Sequence, residues 1–291
     1  MRRGRGDADI VSFGGGPPRR LPRVARLLPA SGVLALALLA LAARRRALRL
    51  QGPPGNGTRP DDADDVRPGA EPIALPAPAG ARDDRAVLLL HGFGDTPQSV
   101  AYLAGYLQAD GWTVRAPLLP GHGRTVRRFA ASGAGAWIAH ARAEYAELRR
   151  RHARVAIVGQ SMGGALAALL AAEAPAPAAL VLLSPYLAMP AHLRHLSRLH
   201  ALWSPVLPFL ASRGEGSILD AAERARSLAY GVVSGRLLAE LRTVAARAWA
   251  ELPNISAPTL VVQSRRDHRI APEDCERAVA RIGARRTRLV W

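Results

Sequence analysis

None of the 40 basic residues in this 291-residue chain is a lysine; every one is an arginine. That one-sided usage marks a compositional bias rather than selection for phosphate contacts, so the formal charge of +17 does not point to nucleic acid as a partner. The excess is also uneven, because residues 1–59 carry 12 arginines against 2 aspartates while residues 60–291 carry 28 arginines against 21 acids. Cysteine is nearly absent. Cys275, the single one, lies in the charged run 272–277, which rules out an intramolecular disulfide and leaves no thiolate cluster for a metal. The length suits one large α/β domain with its own core and an extension at one end.

That extension divides into three stretches. Residues 1–26 are basic. Between Arg26 and Arg44 lie 17 uncharged residues, 27–43, which predict a single-pass membrane anchor with a bacterial inner membrane as the expected location. A cleaved secretory signal and an upstream translation artefact or interfacial helix are the competing readings, and Arg44, Arg45 and Arg46 directly after the run argue against cleavage. Arginines on both flanks leave the orientation open. Residues 44–84, largely Gly, Pro, Asp and Ala with no apolar period, predict a disordered linker.

The folded domain is expected over 85–291. A-V-L-L-L after Arg85 is a continuous apolar run of strand length, as a strand buried on both faces requires. Thr96-Pro97 supplies a helix cap and a first-turn proline, and Val100, Leu103 and Leu107 mark one face of a helix closed by Gly111. Strand patterns over 113–119, 154–158, 180–184, 259–263 and 286–290 alternate with helical ones, which predicts an α/β fold with a mostly parallel sheet and helices on both faces. From about 186 to 257 the rhythm breaks into helical patterns (192–202, 221–228, 236–249) separated by proline and glycine, with no strand. Such an insertion predicts a helical cap over the C-terminal edge of the sheet, where open α/β sheets bind ligands.

The chemistry concentrates at Gly159-Gln160-Ser161-Met162-Gly163. Here the short apolar strand R-V-A-I-V turns directly into the small-residue helix G-G-A-L-A-A-L-L-A-A, which is the context of a nucleophile elbow. Ser161 is the candidate nucleophile, and Gly159 and Gly163 are small enough to let strand and helix close around it. Asp267, at the end of the strand that follows the insertion, is the candidate acid that orients a base. Two backbone N–H groups are candidates for an oxyanion hole: that of Met162, next to the nucleophile, and that of Phe93, in the loop after the first buried strand. An aspartate at the elbow would have signalled a dehalogenase or epoxide hydrolase; the serine excludes both.

Four segments in this order carry a family resemblance: H-G-F-G at 91–94, P-L-L-P-G-H-G at 117–123, G-Q-S-M-G-G at 159–164 and P-T-L-V-V-Q-S-R-R-D at 258–267. Together they resemble the α/β-hydrolases of the monoacylglycerol lipase and bacterial carboxylesterase type, serine aminopeptidase S33-like. The resemblance implies an α/β-hydrolase fold and a serine hydrolase that cleaves an acyl ester or monoglyceride-like lipid under a helical cap, without metal or cofactor. It gives His91 and His122 structural places in their loops. It also implies a triad histidine in a loop after the last strand, and the chain stops on that strand at Trp291. Of the eight histidines only His268 follows Asp267, too close to be braced by it, while His192, His195 and His200 fall in the insertion. The expectation is therefore a C-terminally truncated hydrolase, its last loop and helix missing, with no triad histidine and impaired turnover. An acyltransferase or peptidase on the same fold, or a non-catalytic hydrolase-like binding protein, are the alternatives.

Overall fold

The computed structural model of the protein describes residues 66–81, 84–173, 175–211, 218 and 220–291, together with residues 38, 41, 42, 44 and 45. Its strands are β1 (Ile73–Leu75), β2 (Arg85–Leu90), β3 (Thr113–Ala116), β4 (Arg154–Gln160), β5 (Ala179–Leu183), β6 (Leu210–Ala211), β7 (Val232–Val233), β8 (Thr259–Val262) and β9 (Thr287–Val290). Among the described residues, seven of them form one sheet in the order β1-β3-β2-β4-β5-β8-β9, with β6 and β7 paired apart as a small ribbon. Every pairing in the large sheet is parallel except that of β1 with β3. Parallel strands need crossover helices, and the alternation of apolar strand runs with helical patterns supplies them.

β2 shows why the centre of the sheet lies where it does. Residues 86–90 are all buried, so the strand needs cover on both faces, and it is flanked by β3 and β4. One face carries the larger core, into which helices Ala134–Arg151, Met162–Ala172, Gly235–Glu251 and Pro272–Arg281 pack. Val87, Leu89, Ala156 and Val158 point to the other face, under Val100, Ala104, Leu103 and Leu107 of the turn and helix at Pro97–Ala109. Cys275 faces the larger core, and burial pushes its thiol up to about 11, so it remains protonated near neutral pH.

Several expectations shift. Among the described residues no helix is long and apolar enough to cross a membrane, which overturns the single-pass anchor and the inner-membrane location. Within 27–43 only Leu38, Leu41 and Ala42 are described, all helical and exposed, and the rest of the run lies outside the described residues. Seventeen residues that include Pro29, Ser31 and Gly32 fall short of the ~20 apolar residues a spanning helix needs. The ordered domain also begins before residue 85, because Ile73–Leu75 pairs with Val114–Ala116 as an antiparallel edge strand. Of the expected linker, 46–65 and 82–83 lie outside the described residues.

Within 186–257 the helices stand at Ala191–Arg198, His200–Trp203, Ala221–Arg226 and Gly235–Glu251, and the β6–β7 ribbon was not foreseen. Gly235–Glu251 buries Leu237, Leu238, Leu241, Val244, Ala245 and Ala248, a stripe at helical spacing that joins the core shared with Met162–Ala172. The shorter helices Ala191–Arg198 and His200–Trp203 pack against Gly235–Glu251.

Candidate active site

The elbow is built by strain held in a tight frame. β4 ends at Gln160, the helix begins at Met162, and Ser161 between them has φ 53° and ψ −117°, which a residue with a side chain adopts only when its surroundings impose it. The Ser161 N–H donates to the Leu183 carbonyl at 3.0 Å, and the Ser161 carbonyl accepts from Gly164 at 2.9 Å and from Tyr186 at 2.9 Å. Tyr186 belongs to the turn after β5, where Ser184 is, among the described residues, the other non-glycine with positive φ, 41°. Close approach explains the glycines: a Cβ on Gly163 would overlap the Leu90 carbonyl, and one on Gly159 would overlap the carbonyl of Gly163. Both expected elbow glycines thus stand at contacts no larger residue could make. Among the described residues no side chain hydrogen-bonds the Ser161 hydroxyl.

The loop after β2 lies directly beside this serine, since a Cβ built on Gly92 would sit 4.0 Å from Ser161 Oγ. Its peptide planes are pinned from behind. The Gly92 carbonyl accepts from His91 Nδ1 at 2.9 Å and from the Asp95 N–H at 3.3 Å. In a trans peptide the N–H points away from the carbonyl, so the Phe93 N–H faces the opposite side from those donors. Neither the Phe93 nor the Met162 N–H has a hydrogen-bond partner among the described residues. His91 is fully buried and its other ring nitrogen, Nε2, accepts from the Leu119 N–H at 3.1 Å, which assigns the proton to Nδ1. Burial lowers its pKa to about 4, with the Gly92 bond pulling the other way, so the ring is neutral at neutral pH.

An aromatic nest backs the loop. The Phe93 ring lies 5.2 Å from Phe129 and 5.9 Å from Trp137, and His122 packs at 4.7 Å from Phe129. His122 is also wholly buried and its pKa falls well below the usual histidine value, chiefly through desolvation. Tyr230, just before β7, stacks on Phe129 at 4.5 Å, and its N–H donates to the Gly94 carbonyl at 3.1 Å. Its hydroxyl accepts from the Arg124 N–H at 3.0 Å and reaches the Gly121 and Arg124 carbonyls. Arg67 lies over the Tyr230 ring at 4.8 Å and donates to the Leu228 carbonyl, so the segment before β1 closes this clasp.

Asp267 follows β8 on the same edge of the sheet, in a turn that holds its carboxylate. Oδ1 accepts from the Arg269 N–H at 2.8 Å and the Ile270 N–H at 3.1 Å. Among the described residues Oδ2 meets only the Gln263 amide, 3.3 Å away, and so keeps acceptor capacity. Gln263 is buried and its Nε2 also reaches the Ile270 carbonyl at 3.3 Å, tying the end of β8 to the turn. Among the described residues no histidine hydrogen-bonds Ser161 or Asp267. His200 is engaged with the Ser197 carbonyl at 2.9 Å, His140 stands 3.8 Å from Glu144, and His268 is exposed. The structure therefore brings Ser161, Met162 and the 91–95 loop together and sets Asp267, after β8, on the same strand edge.

Two groups at this edge, Tyr186 and Asp95, feel the Arg269 charge. Burial pushes the Tyr186 hydroxyl up to about 12, against the pull of the Arg269 charge. Burial also raises the Asp95 carboxyl, and Arg269 and Arg67 are the cations that oppose it.

Residues 81–291 match the serine aminopeptidase, S33 family. The chain belongs to that family. A thermostable monoacylglycerol lipase of Bacillus sp. (strain H-257) is 31% identical over 213 residues, 72% of this chain and 80% of that protein. A carboxylesterase of Bacillus subtilis (strain 168) is 27% identical over 193 residues, 65% of this chain and 75% of the relative. Among solved structures, one from a study of the metagenome-derived lipolytic enzymes LipS and LipT aligns with a TM-score of 0.68 and 32% identity, over 78% of this chain and 88% of the other. The monoacylglycerol lipase of Paleococcus ferrophilus shares the fold at a TM-score of 0.63 and 21% identity, over 75% and 86% of the two chains. The α/β-hydrolase fold read from the sequence is thereby established for this member of the family.

Tyr230, Gln263, Tyr186 and Arg67 are the residues that sequence reading missed. Gln263 stood inside a recognised segment as a strand-end polar residue, and its burial was the missing cue. Tyr230 and Arg67 have no local signal, because each is defined by partners more than 100 residues away.

Proposed function

We propose that this protein is a serine hydrolase of carboxylic esters, acting through an acyl-enzyme on Ser161. Its relatives of lipase and esterase type support ester hydrolysis in general. The observation that carries the finer reading is the pair of unpartnered N–H groups, Met162 and Phe93, beside a strained serine whose hydroxyl is free. Attack by Oγ on an ester carbonyl creates an oxyanion, and two N–H donors fixed before the reaction stabilise it without reorganisation. Asp267 Oδ2 is positioned to accept from an imidazole N–H, as a triad acid does. Monoacylglycerol-like and short acyl esters are the substrates proposed from the lipase and carboxylesterase relatives. The peptidase reading has only the family description behind it.

The weak point of the machinery is proton transfer. A serine without a base holds its proton at neutral pH, and loss of the base costs on the order of 10⁴ to 10⁶ in turnover. We propose that the 291-residue chain is slow for this reason, and that a free base can substitute. p-Nitrophenyl butyrate hydrolysis should rise with added imidazole by at least ~10-fold over imidazole alone. The gain should vanish in Ser161→Ala. An imidazole-dependent rate that survives this substitution would refute the assignment of the nucleophile.

A further inference from the structure

The loop that carries the Phe93 N–H has a glycine on each side of it, Gly92 and Gly94, the latter at φ 70°. Glycine peptides turn at little cost, so bonds from outside must hold this donor in one direction. Those bonds form a series. The Gly92 carbonyl, which shares a peptide with the Phe93 N–H, accepts from the Asp95 N–H at 3.3 Å, and the Gly94 carbonyl, which shares a peptide with the Asp95 N–H, accepts from the Tyr230 N–H at 3.1 Å. Two peptide planes thus link Tyr230 to the Phe93 N–H, head to tail, and each bond polarises the next. Tyr230 is itself held on several sides. Its hydroxyl meets Arg124 and Gly121 and its ring stacks on Phe129. The chain just before it is gripped by Gln98, which accepts from the Leu228 N–H at 3.1 Å and donates to the Arg226 carbonyl at 3.0 Å. Arg67 lies over the ring, donates to the Leu228 carbonyl, and is anchored by its own N–H on the Gly123 carbonyl at 2.7 Å. Residues 67–70 precede the span matched to the family, 81–291, yet Ala70 is fully buried and its Cβ stands 2.8 Å from where a Cβ on Gly123 would lie.

We infer that Tyr230 is a positioning residue for ester hydrolysis, setting the direction of the Phe93 N–H through the Gly94–Asp95 and Gly92–Phe93 peptides, and that Arg67 holds Tyr230 in that place. The inference rests on the reading of the Phe93 N–H as an oxyanion donor. Its effect falls on the transition state. An oxyanion forms only on attack by Ser161, and a donor stabilises it only from roughly 2.7–3.1 Å, so a peptide plane turned away weakens the transition state and leaves binding of the ester nearly as it was. The segment before β7 and the segment before β1 are thereby joined to one donor, and loosening either loosens the hole.

A thionoester separates this role from a merely structural one, because sulfur accepts hydrogen bonds weakly and draws little from an oxyanion hole. Hydrolysis of p-nitrophenyl butyrate and of its C=S analogue is measured on the full chain with added imidazole, each rate taken as the difference from Ser161→Ala. In the unsubstituted protein the ester should outpace the thionoester by a larger ratio than imidazole alone gives. Tyr230→Phe keeps the ring and loses the bonds of the hydroxyl. Its kcat for the ester should fall about 10-fold with KM within about twofold, while the thionoester rate stays nearly level, so that the ratio falls. Arg67→Gln, which removes the cation over the ring, should lower the ratio by a smaller factor. Partial unfolding would reduce both rates alike and leave the ratio where it was. A ratio unchanged in both variants overturns the inference and leaves the oxyanion reading standing, and a fall in Tyr230→Phe alone keeps the role of Tyr230 and removes that of Arg67. If Tyr230→Phe does not fold, the ratio in Arg67→Gln decides. A ratio in the unsubstituted protein no larger than with imidazole alone overturns the oxyanion reading, and this inference with it.

Discussion

Acid should destabilise this protein through the histidine that holds the loop after β2. His91 is buried and neutral, donating from Nδ1 to Gly92 and accepting at Nε2 from Leu119. Its pKa is about 4 when folded, against an ordinary value of 6.5. A base whose folded pKa is depressed binds fewer protons folded than unfolded between those two values. Stability is therefore present above pH 6.5 and is lost as pH falls toward 4. Each pH unit in that window costs up to about 1.4 kcal/mol, so from pH 7 to pH 4.5 the loss comes to roughly 2–3 kcal/mol. His122, displaced in the same direction, adds to it. Urea unfolding at half-unit steps between pH 8 and pH 4.5 measures this, with His91→Asn as the comparison. The variant keeps a donor for the Gly92 carbonyl and cannot titrate. It should be less stable at pH 8, yet its curve should be shallower, so that the two converge by about 2–3 kcal/mol at pH 4.5. Parallel curves across the window would refute the assignment of a neutral, structural His91.

The elbow and the clasp give further tests. Gly163→Ala forces a Cβ into the backbone carbonyl of Leu90, which has no flexible side chain to give way, and should destabilise by about 3 kcal/mol or prevent folding, read by thermal melting. An alanine there of near wild-type stability would mean strand and helix are not packed as described. Tyr230→Phe removes a buried hydroxyl that accepts from Arg124 and reaches two carbonyls, at a cost of about 1–3 kcal/mol by the same assay. A neutral effect would show the clasp to be dispensable.

How much of this was legible depended on whether the cause was local. β2 and the Ser161 elbow could be read because burial on both faces leaves a continuous apolar run, and the strand-to-helix turn leaves small residues at fixed offsets. β1 could not, since three residues between Pro72 and Pro76 carry no period, and only the free edge of β3 makes Ile73–Leu75 a strand. The β6–β7 ribbon is two residues on each side, defined by pairing across 20 positions. Helix Gly235–Glu251 was recognised as a helix but misplaced, because an apolar stripe says that a face is buried and not what buries it. Thr96 was expected to cap a helix. Its side chain makes no capping bond, and its N–H is taken by Asp95. The anchor was inferred from the absence of charge over 27–43, a weaker signal than apolarity sustained over a full span.

The central claim is that Ser161 is the nucleophile, and its most direct test is to find the covalent adduct. Full-length protein is incubated with a fluorophosphonate in the presence of imidazole, then digested and mapped by mass spectrometry. A single adduct on the peptide containing Ser161, absent in Ser161→Ala, is the result predicted. An unmodified Ser161 peptide, or an equal adduct on another residue in the alanine variant, would contradict it.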